Sequence, residues 1–523
     1  MNAPRVASHY PSDMARILML QCELEHRHQA PHLAMCLFAS DLRALGHTVQ
    51  AAMVHPTALD AVADAFPDID LVMIDSIFPF AMVRRLRSLL GSPVLVGGHS
   101  ALQHMLRGDA DFALVGAARR LLPAAVRTCI EGTRPLPAGL WARGDDGVLD
   151  AGPTPPAASP GGEVLPYTPD FDWGYLGPPR APGSNLRIPS VVAELGCVYD
   201  TPVLGTDDEG FYADTSSRLP DVPVTPAARE DLQRRFVSRD GGCTFCVFRY
   251  QPFRRAAPAD TPALLQMQLE ALRALGALGF SLQTENPAAY LDTVLPLASR
   301  LGFEEVHIRT IPWLLLKRAD AFEAAAARAG ALGIDLVLGQ VGFEAFDALG
   351  LEVFHKGIST QDNRAAARLL TRLTAEHPRF EGTRGHGFIP LHPWTRPTDL
   401  RENLDACKAD APWLLHNFDP RRRLEIYNEW SPLFWKAQDD GLVEPAPDRF
   451  GWGFKFADGG TGEVAAVAAA LALESATPAW RVLDRVLGVF EREQDPGPRK
   501  SAYLALRRDL AVSPAGPARG GAD

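Results

Sequence analysis

The sequence of 523 residues has no run of about 18 uncharged apolar residues, and its start has no signal-peptide-length apolar segment behind a basic region. These absences argue against a membrane-spanning or exported chain, so we expect a cytoplasmic protein with no membrane partner. Seven cysteines without dense or regular spacing do not make a disulfide framework. In a reducing compartment, a CxxC pair more often binds metal or performs redox chemistry.

An excess of positive charge is also missing. Lys and Arg total 52 against 63 Asp and Glu, and the formal net charge is -11. This balance disfavours nucleic acid as a partner and leaves a small molecule or a peptide as the expected substrate. Hydrophobic residues make up 46% of the chain, which at this length is enough for about two to four domains with their own cores.

The first part of the chain, 16–130, alternates short apolar runs with amphipathic stretches, as in "ARILMLQ", "HLAMCLFASDLRALG" and "IDLVMIDS". The alternation predicts the βαβ units of a doubly wound, Rossmann-like parallel sheet. Ligands of such sheets bind beyond the carboxyl ends of the strands, so we expect loops 22–32, 75–80 and 97–100 to line a crevice. None of these loops carries GxGxxG, which disfavours a dinucleotide.

A second alternation of strand and helix periods begins at "RIPSVVAELGC" and predicts a full or partial (β/α) barrel. Active-site residues of barrels cluster at the carboxyl ends of strands, and Glu285, Arg309 and Glu344 fall at such ends. The predicted divisions of this α/β chain are a Rossmann-like domain (1–132), a Pro/Gly-rich linker or wrapping segment (133–189), the barrel (190–415), a C-terminal α+β domain (416–512) and a disordered tail (513–523).

The cysteine pair in "RDGGCTFCVFRY" is the strongest chemical signal. Three thiolates on one face of a cavity can hold a 4Fe-4S cluster and leave one iron open for a ligand. Cys243 and Cys246, with Phe245 between them, are similar to the second half of the CxxxCxxC signature of radical S-adenosylmethionine (SAM) enzymes. Four places before Cys243 stands Arg239, which cannot ligate iron.

The missing first cysteine has a candidate upstream. "IPSVVAELGC" resembles the family's approach to its first ligand and ends on Cys197, with 45 residues between Cys197 and Cys243. We therefore predict an insertion over 198–242 inside the cluster loop. Two alternatives stay open: Cys197 is a buried core thiol, or the CxxC pair is an incidental turn or a zinc site.

The resemblance extends along the chain. "VLGQVGFEAFDALGLEVFHKGIST" is similar to the fourth-strand segment of radical SAM barrels, with a GxE step at Glu344 and a helix ending in Lys-Gly. "GFIPLHPWTRPTDLRENLDA" and "RRLEIYNEWSPLFWKAQDDGLV" resemble later segments of the subgroup that has an N-terminal cobalamin-binding domain. The likeness covers about residues 14–460.

The resemblance implies three cofactors: a 4Fe-4S cluster, SAM and cobalamin. It implies Cys197, Cys243 and Cys246 as the cluster ligands. It further implies that Glu285 accepts the SAM ammonium group, that Arg309 faces the SAM carboxylate, that Glu344 binds the ribose or ammonium group, and that Phe245 packs on the adenine. An electron donor such as flavodoxin or ferredoxin is the implied protein partner.

The cobalamin ligand motif DxHxxG is absent from the first βα loop and its neighbours, and His26, His28 and His99 are loop histidines without an assigned role. The leading hypothesis is a cobalamin-dependent radical SAM enzyme that methylates an unactivated carbon of a small-molecule or peptide intermediate. The first alternative is a radical enzyme of the same type that cyclises, oxidises or rearranges its substrate. The second is a non-catalytic scaffold with a structural zinc or incidental CxxC site.

Overall fold

The computed structural model describes most of the chain. The described residues are 14–23, 32–75, 78–98, 101–115, 118–154, 169–170, 172–178, 188–193, 210–216, 218–219, 221–234, 242–246, 261–421, 424, 426, 429–444 and 452–512. Cys197, His26, His28 and His99 lie outside these residues, and so does the tail predicted over 513–523. The predictions made for them stay predictions.

An eight-stranded sheet occupies the first part of the chain. Its strands are β1 (Arg16–Cys22), β2 (Thr48–Val54), β3 (Leu71–Asp75), β4 (Val94–Gly97), β5 (Phe112–Leu114), β6 (Leu140–Arg143), β7 (Leu149–Ala151) and β8 (Gly174–Leu176). Its helices are α1 (Leu33–Ala44), α2 (Val62–Ala65), α3 (Phe80–Leu90), α4 (Ala101–Leu106) and α5 (Ala118–Glu131). The strand order is β7-β6-β5-β4-β3-β1-β2-β8.

The centre of this sheet is parallel and doubly wound, as the sequence predicts. Strand β1 pairs in parallel with β2 on one side and with β3 on the other. All five residues of β3 are buried, which is typical of a strand covered by helices on both faces. Strand β2 lies on one side of β1 and the next strand, β3, lies on the other, so the direction of the strand order reverses at β1. The crevice at the carboxyl ends of β1 and β3 is therefore the topological switch point.

The described part of the segment 133–189, predicted as a linker or wrapping segment, contributes the strands β6, β7 and β8 to this sheet. β6 and β7 extend one edge in antiparallel fashion, and β8 pairs with β2 at the other edge. β7 and β8 are the edge strands of the sheet, and all three strands are short, which is compatible with a proline-rich segment. Burial of Leu140, Trp141 and Ala142 stabilises β6 despite the weak strand signal.

A second sheet is parallel throughout its described strands. They are β9 (Ser190–Val192), β10 (Gly279–Gln283), β11 (Glu305–Thr310), β12 (Asp335–Glu344), β13 (Phe380–Glu381) and β14 (Gly387–Phe388). The order is β9-β10-β11-β12-β13, with β14 beside the last residues of β12. α6 (Pro226–Leu232) packs against β7 of the first sheet. The helices that accompany the second sheet are α7 (Thr261–Ala274), α8 (Leu291–Leu301), α9 (Pro312–Lys317), α10 (Ala319–Leu332), α11 (Ala348–Val353), α12 (Thr360–Glu376) and α13 (Pro397–Asp410).

The described part of 198–242 contacts the first sheet and helix α11, which follows β12 of the second sheet. The Trp141 indole of the first sheet donates to the Asp231 carboxylate of α6 at 3.2 Å. The Tyr212 hydroxyl donates to the carbonyl of Val353, at the end of α11, at 2.6 Å. This segment therefore ties the first sheet to the carboxyl-end side of the second.

The described part of the C-terminal region adds helices and the antiparallel strand pair β15–β16. Its elements are α14 (Pro432–Asp439), β15 (Val443–Glu444), β16 (Gly453–Phe454), α15 (Gly459–Glu474), α16 (Ala479–Arg492) and α17 (Pro496–Val512). The prediction of a mixed α/β chain with parallel sheets is confirmed. Among the described residues, no helix combines the length and the apolar character needed to cross a membrane.

Candidate functional site

The cysteine pair forms a tight turn that packs against the end of α11. The Cys246 amide donates to the Cys243 carbonyl at 3.2 Å, and both side chains are partly exposed. The other four described cysteines are buried: Cys22, Cys36, Cys129 and Cys407. Burial raises the pKa of each of these four thiols, to about 12 for Cys22. Thiolate chemistry in the described chain is therefore concentrated in the Cys243–Cys246 turn.

Thr244 and Phe245 fix this turn against the end of α11. The Thr244 hydroxyl donates to the Val353 carbonyl at 2.6 Å, and its amide donates to the Phe354 carbonyl at 3.3 Å. The rings of Phe245 and Phe354 pack edge to face with centroids 5.4 Å apart. The two carbonyls at the helix end are orphan acceptors of α11, so the turn satisfies them while it is held in place.

The end of α11 directs Lys356 toward the same place. The Lys356 amide donates to the Leu351 carbonyl and the His355 amide to the Glu352 carbonyl, both at 3.0 Å. These two bonds form a Schellman motif, whose left-handed position is occupied by His355 with φ of 49° instead of the usual glycine. The chain reverses there, and Lys356 is buried.

Lys356 forms an ion pair with Glu344, the last residue of β12. The Nζ to Oε1 distance is 3.3 Å, and the two side chains are only 6% and 9% exposed. Burial disfavours the ammonium group, but the pKa of Lys356 is raised because the negative charges of Cys243, Glu344 and Cys246 outweigh the lost hydration. A buried cation therefore lies within electrostatic reach of both thiols.

Glu344 has an unusual backbone that the surrounding residues hold in place. Its φ is +61°, which costs about 1 kcal/mol or more for a residue with a Cβ. The Asn363 amide group donates to the carbonyls on both sides of Glu344, those of Phe343 at 3.0 Å and Ala345 at 2.7 Å. The Ile389 amide donates to the Glu344 carbonyl at 2.7 Å.

Asn403 of α13 fixes the next two residues. Its Oδ1 accepts from the Phe346 amide at 2.6 Å and the Asp347 amide at 3.2 Å, and its Nδ2 donates to Asp347 Oδ2 at 2.6 Å. Asp347 in turn caps α11 by accepting from the Gly350 amide at 2.6 Å. One buried side chain thus links the Glu344 turn to the helix that leads to Lys356.

The glycine of the GxE step is explained by this geometry. A Cβ built on Gly342 would lie 2.4 Å from Glu344 Oε1 and 3.3 Å from Lys356 Nζ. A methyl group at Gly342 would therefore displace the carboxylate. The carboxylate lies in a cradle that only glycine leaves open.

Glu285 and Arg309 lie at adjacent strand ends, just after β10 and near the end of β11. They form an ion pair with Arg309 Nε 3.0 Å from Glu285 Oε1, and the side chains are 28% and 19% exposed. The Thr310 hydroxyl donates to the Glu285 carbonyl at 3.0 Å. From the resemblance, Glu285 is expected to bind the SAM ammonium group and Arg309 the SAM carboxylate. In the structure, the two side chains contact each other directly.

A second polar cluster lies at the switch point of the first sheet. His32 Nδ1 is 2.5 Å from Asp75 Oδ2, and the Tyr175 hydroxyl donates to Glu23 Oε2 at 2.5 Å. Burial by itself lowers the pKa of His32. The Asp75 carboxylate raises this pKa by a larger amount, so the net shift is upward. Loops 22–32 and 75–80, predicted to line a crevice, supply three of these four residues.

The structure brings the predicted residues together in two groups. Cys243, Cys246, Phe245 and Glu344 are connected through the 353–356 segment, and Glu285 pairs with Arg309. Their roles toward a ligand stay predictions, as does that of Cys197. Sequence reasoning gave no role to Lys356, although the Lys-Gly step at the end of the helix was the available signal. It also missed the pair of His32 and Asp75. These residues are 43 positions apart, and they meet because β1 and β3 are neighbours in the sheet.

Comparison with known proteins gives structural neighbours alone. No protein-family model matches the sequence, and a search of curated proteins gives no match. The structure of the cobalamin-dependent SAM radical enzyme OxsB with aqua-cobalamin and SAM bound aligns with a TM-score of 0.58 and 13% identity, covering 95% of this chain and 71% of OxsB. The structure of OxsB with aqua-cobalamin bound aligns with a TM-score of 0.57 and 13% identity, covering 95% of this chain and 72% of OxsB.

A third neighbour is the radical SAM methyltransferase TsrM from Kitasatospora setae, solved with cobalamin and a [4Fe-4S] cluster. Its TM-score is 0.49 at 15% identity, covering 83% of this chain and 80% of TsrM. At these identities the likeness concerns the fold. The chain is therefore similar in fold, over nearly its whole length, to the cobalamin-dependent SAM radical enzyme OxsB.

Proposed function

We propose that this protein is a cobalamin-dependent radical SAM enzyme. The observation that carries the proposal is the partly exposed Cys243–Cys246 turn, anchored on α11 beside the buried Glu344–Lys356 pair at the carboxyl ends of a parallel sheet. Active sites of barrels lie at this end of the strands. The fold likeness to OxsB supports the same reading.

The donor set fits an iron-sulfur cluster. Thiolate is the ligand that such clusters require, and Cys243 and Cys246 are the two described cysteines that are not buried in a core. Cys197 is proposed as the third ligand. A 4Fe-4S cluster bound there would supply the single electron that splits SAM into methionine and a 5'-deoxyadenosyl radical.

The neighbouring residues would bind and orient SAM. Glu344 offers a carboxylate fixed by its backbone and by Lys356, and is suited to accept from an ammonium or a ribose hydroxyl. Arg309 and Glu285 would exchange part of their mutual contact for the carboxylate and ammonium of the ligand. Phe245, held edge to face by Phe354, would pack on the adenine.

The crevice at the switch point of the first sheet is the proposed cobalamin site. Glu23, His32, Asp75 and Tyr175 would face the corrinoid from the carboxyl ends of β1 and β3 and from β8. Cobalamin bound there would supply a carrier for a methyl group. Transfer of that methyl to an unactivated carbon of a small-molecule or peptide substrate is the finer proposal.

The test is 5'-deoxyadenosine release by the full-length protein. Reconstituted anaerobically and given SAM, cobalamin and a strong one-electron reductant, the wild type should form 5'-deoxyadenosine. Arg309→Ala and Glu344→Ala should weaken SAM binding at least tenfold, whereas Arg384→Ala, whose side chain is 79% exposed, should not. Absence of 5'-deoxyadenosine from protein with a full iron complement would overturn the proposed activity.

Methyl transfer needs its own measurement. With SAM carrying a deuterated methyl group, a product heavier by the labelled methyl, together with S-adenosylhomocysteine, would support methylation. A product without the label would instead indicate cyclisation, oxidation or rearrangement. Zinc in place of iron and sulfide after reconstitution would favour a structural metal site.

A further inference from the structure

The buried ion pair of Lys356 and Glu344 lies beside the Cys243–Cys246 turn. We propose that this pair sets how readily the cysteine-bound centre accepts an electron, with Lys356 favouring reduction and Glu344 opposing it. The inference rests on the proposed function, because it presumes a cluster held by Cys243 and Cys246. Lys356 acts here as a positioning and charge-compensating residue, without touching the substrate.

The main chain holds Lys356 close to the cysteine turn. Thr244, between the two cysteines, contacts the carbonyls of Val353 and Phe354, and Lys356 follows Phe354 by two residues. The left-handed His355 then reverses the chain, so that Lys356 Nζ meets Glu344. The pair and the cysteine turn are therefore parts of one hydrogen-bonded unit.

Burial makes these two charges effective. Side chains exposed by 6% and 9% are screened less by water and salt than surface charges are, so they act more strongly on the neighbouring cysteine turn. One-electron reduction adds a negative charge without forming or breaking a bond, and the electron comes from an external low-potential donor. A nearby ammonium stabilises the added charge, and a nearby carboxylate destabilises it.

The two charges must therefore shift the reduction potential of the cluster in opposite directions. If Lys356 and Glu344 served only to stabilise the fold, opposite shifts would not be required. Lys356→Met should make the equilibrium constant for cluster reduction at least tenfold smaller, a drop of about 59 mV for a one-electron couple. Glu344→Gln should shift the potential upward. The double variant, in which the pair is again neutral overall, should return to within about threefold of the wild-type equilibrium constant.

The experiment is a redox titration of the reconstituted full-length protein, followed by electron paramagnetic resonance of the reduced cluster. Lys356→Arg should behave as the wild type because it keeps the charge, and Lys500→Met, on the exposed face of α17, is the matched control. If Lys356→Met does not fold because Glu344 is left unpaired, Glu344→Gln and the double variant still decide the sign and the recovery.

The outcomes separate this inference from the proposed function. Opposite shifts that cancel in the double variant support the inference. Unchanged potentials, or shifts of the same sign in both single variants, overturn it while the enzyme proposal stands. A wild-type protein that binds no 4Fe-4S cluster overturns the proposed function, and the inference with it.

Discussion

Replacement of Asn403 by leucine tests how the Glu344 turn is held. Asn403 is buried, and its side chain accepts from two main-chain amides and donates to Asp347. Leucine has nearly the same size but no polar atom, so the Phe346 and Asp347 amides would lose their acceptor inside the protein. The loss would fall on the residues that connect Glu344 to α11.

The expected magnitude follows from the bonds that are lost. A buried donor left without a partner costs about 1–3 kcal/mol, so two amides cost about 2–6 kcal/mol together. The lost donor to Asp347 adds to this, since burial already raises the pKa of that carboxyl to about 6. At about 1.4 kcal/mol per factor of ten, local opening of this segment should be at least about 30-fold more frequent.

Hydrogen-deuterium exchange measures this opening directly. In Asn403→Leu, exchange of the Phe346 and Asp347 amides should accelerate at least about 30-fold, and SAM binding should weaken because Glu344 is no longer held. Asn417→Leu is the control, because that side chain makes one bond, to the Leu414 carbonyl at 3.2 Å, outside this turn. Exchange of the 346–347 amides within about threefold of the wild type would refute the reasoning.

Two further predictions concern pH and the GxE glycine. Burial lowers the pKa of His386 to about 4, so the folded state favours the neutral imidazole. The free energy of unfolding is therefore highest above pH 6.5, and it decreases by about 3 kcal/mol as the pH falls to about 4. Thermal unfolding at pH 7, 5 and 4 should show this loss in the wild type and a smaller one in His386→Gln; equal losses would contradict it. Gly342→Ala should weaken SAM binding at least tenfold by displacing the Glu344 carboxylate, and unchanged binding measured by calorimetry would rule out the cradle.

The sequence predicts the parts of the fold that depend on local periodicity. The alternation of apolar runs and amphipathic stretches indicates both parallel sheets, and it places Glu285, Arg309 and Glu344 at or near strand ends. The strands β6 to β8 are harder to predict, because strands of three or four residues carry little periodic signal. Their burial against the rest of the sheet, as at Trp141, outweighs the local proline and glycine content.

The site shows the same division. The CxxC spacing is local and identifies the Cys243–Cys246 turn directly. Pairing of Glu344 with Lys356 is not encoded by a short motif. It depends on two left-handed residues, Glu344 at the end of β12 and His355 after α11, and both carry side chains where glycine is the usual signal. The pairing of Asn403 with the Glu344 turn depends on how α13 packs, which no short motif encodes.

Iron and sulfide content after anaerobic reconstitution tests the central claim most directly. The wild type should bind one 4Fe-4S cluster, Cys243→Ala and Cys246→Ala should each abolish it, and Cys197→Ala should lose it as completely. Cys407→Ala, which alters a thiol buried in the core, should keep the cluster. Full iron in Cys243→Ala or Cys246→Ala would contradict the assignment of this turn as the cluster site.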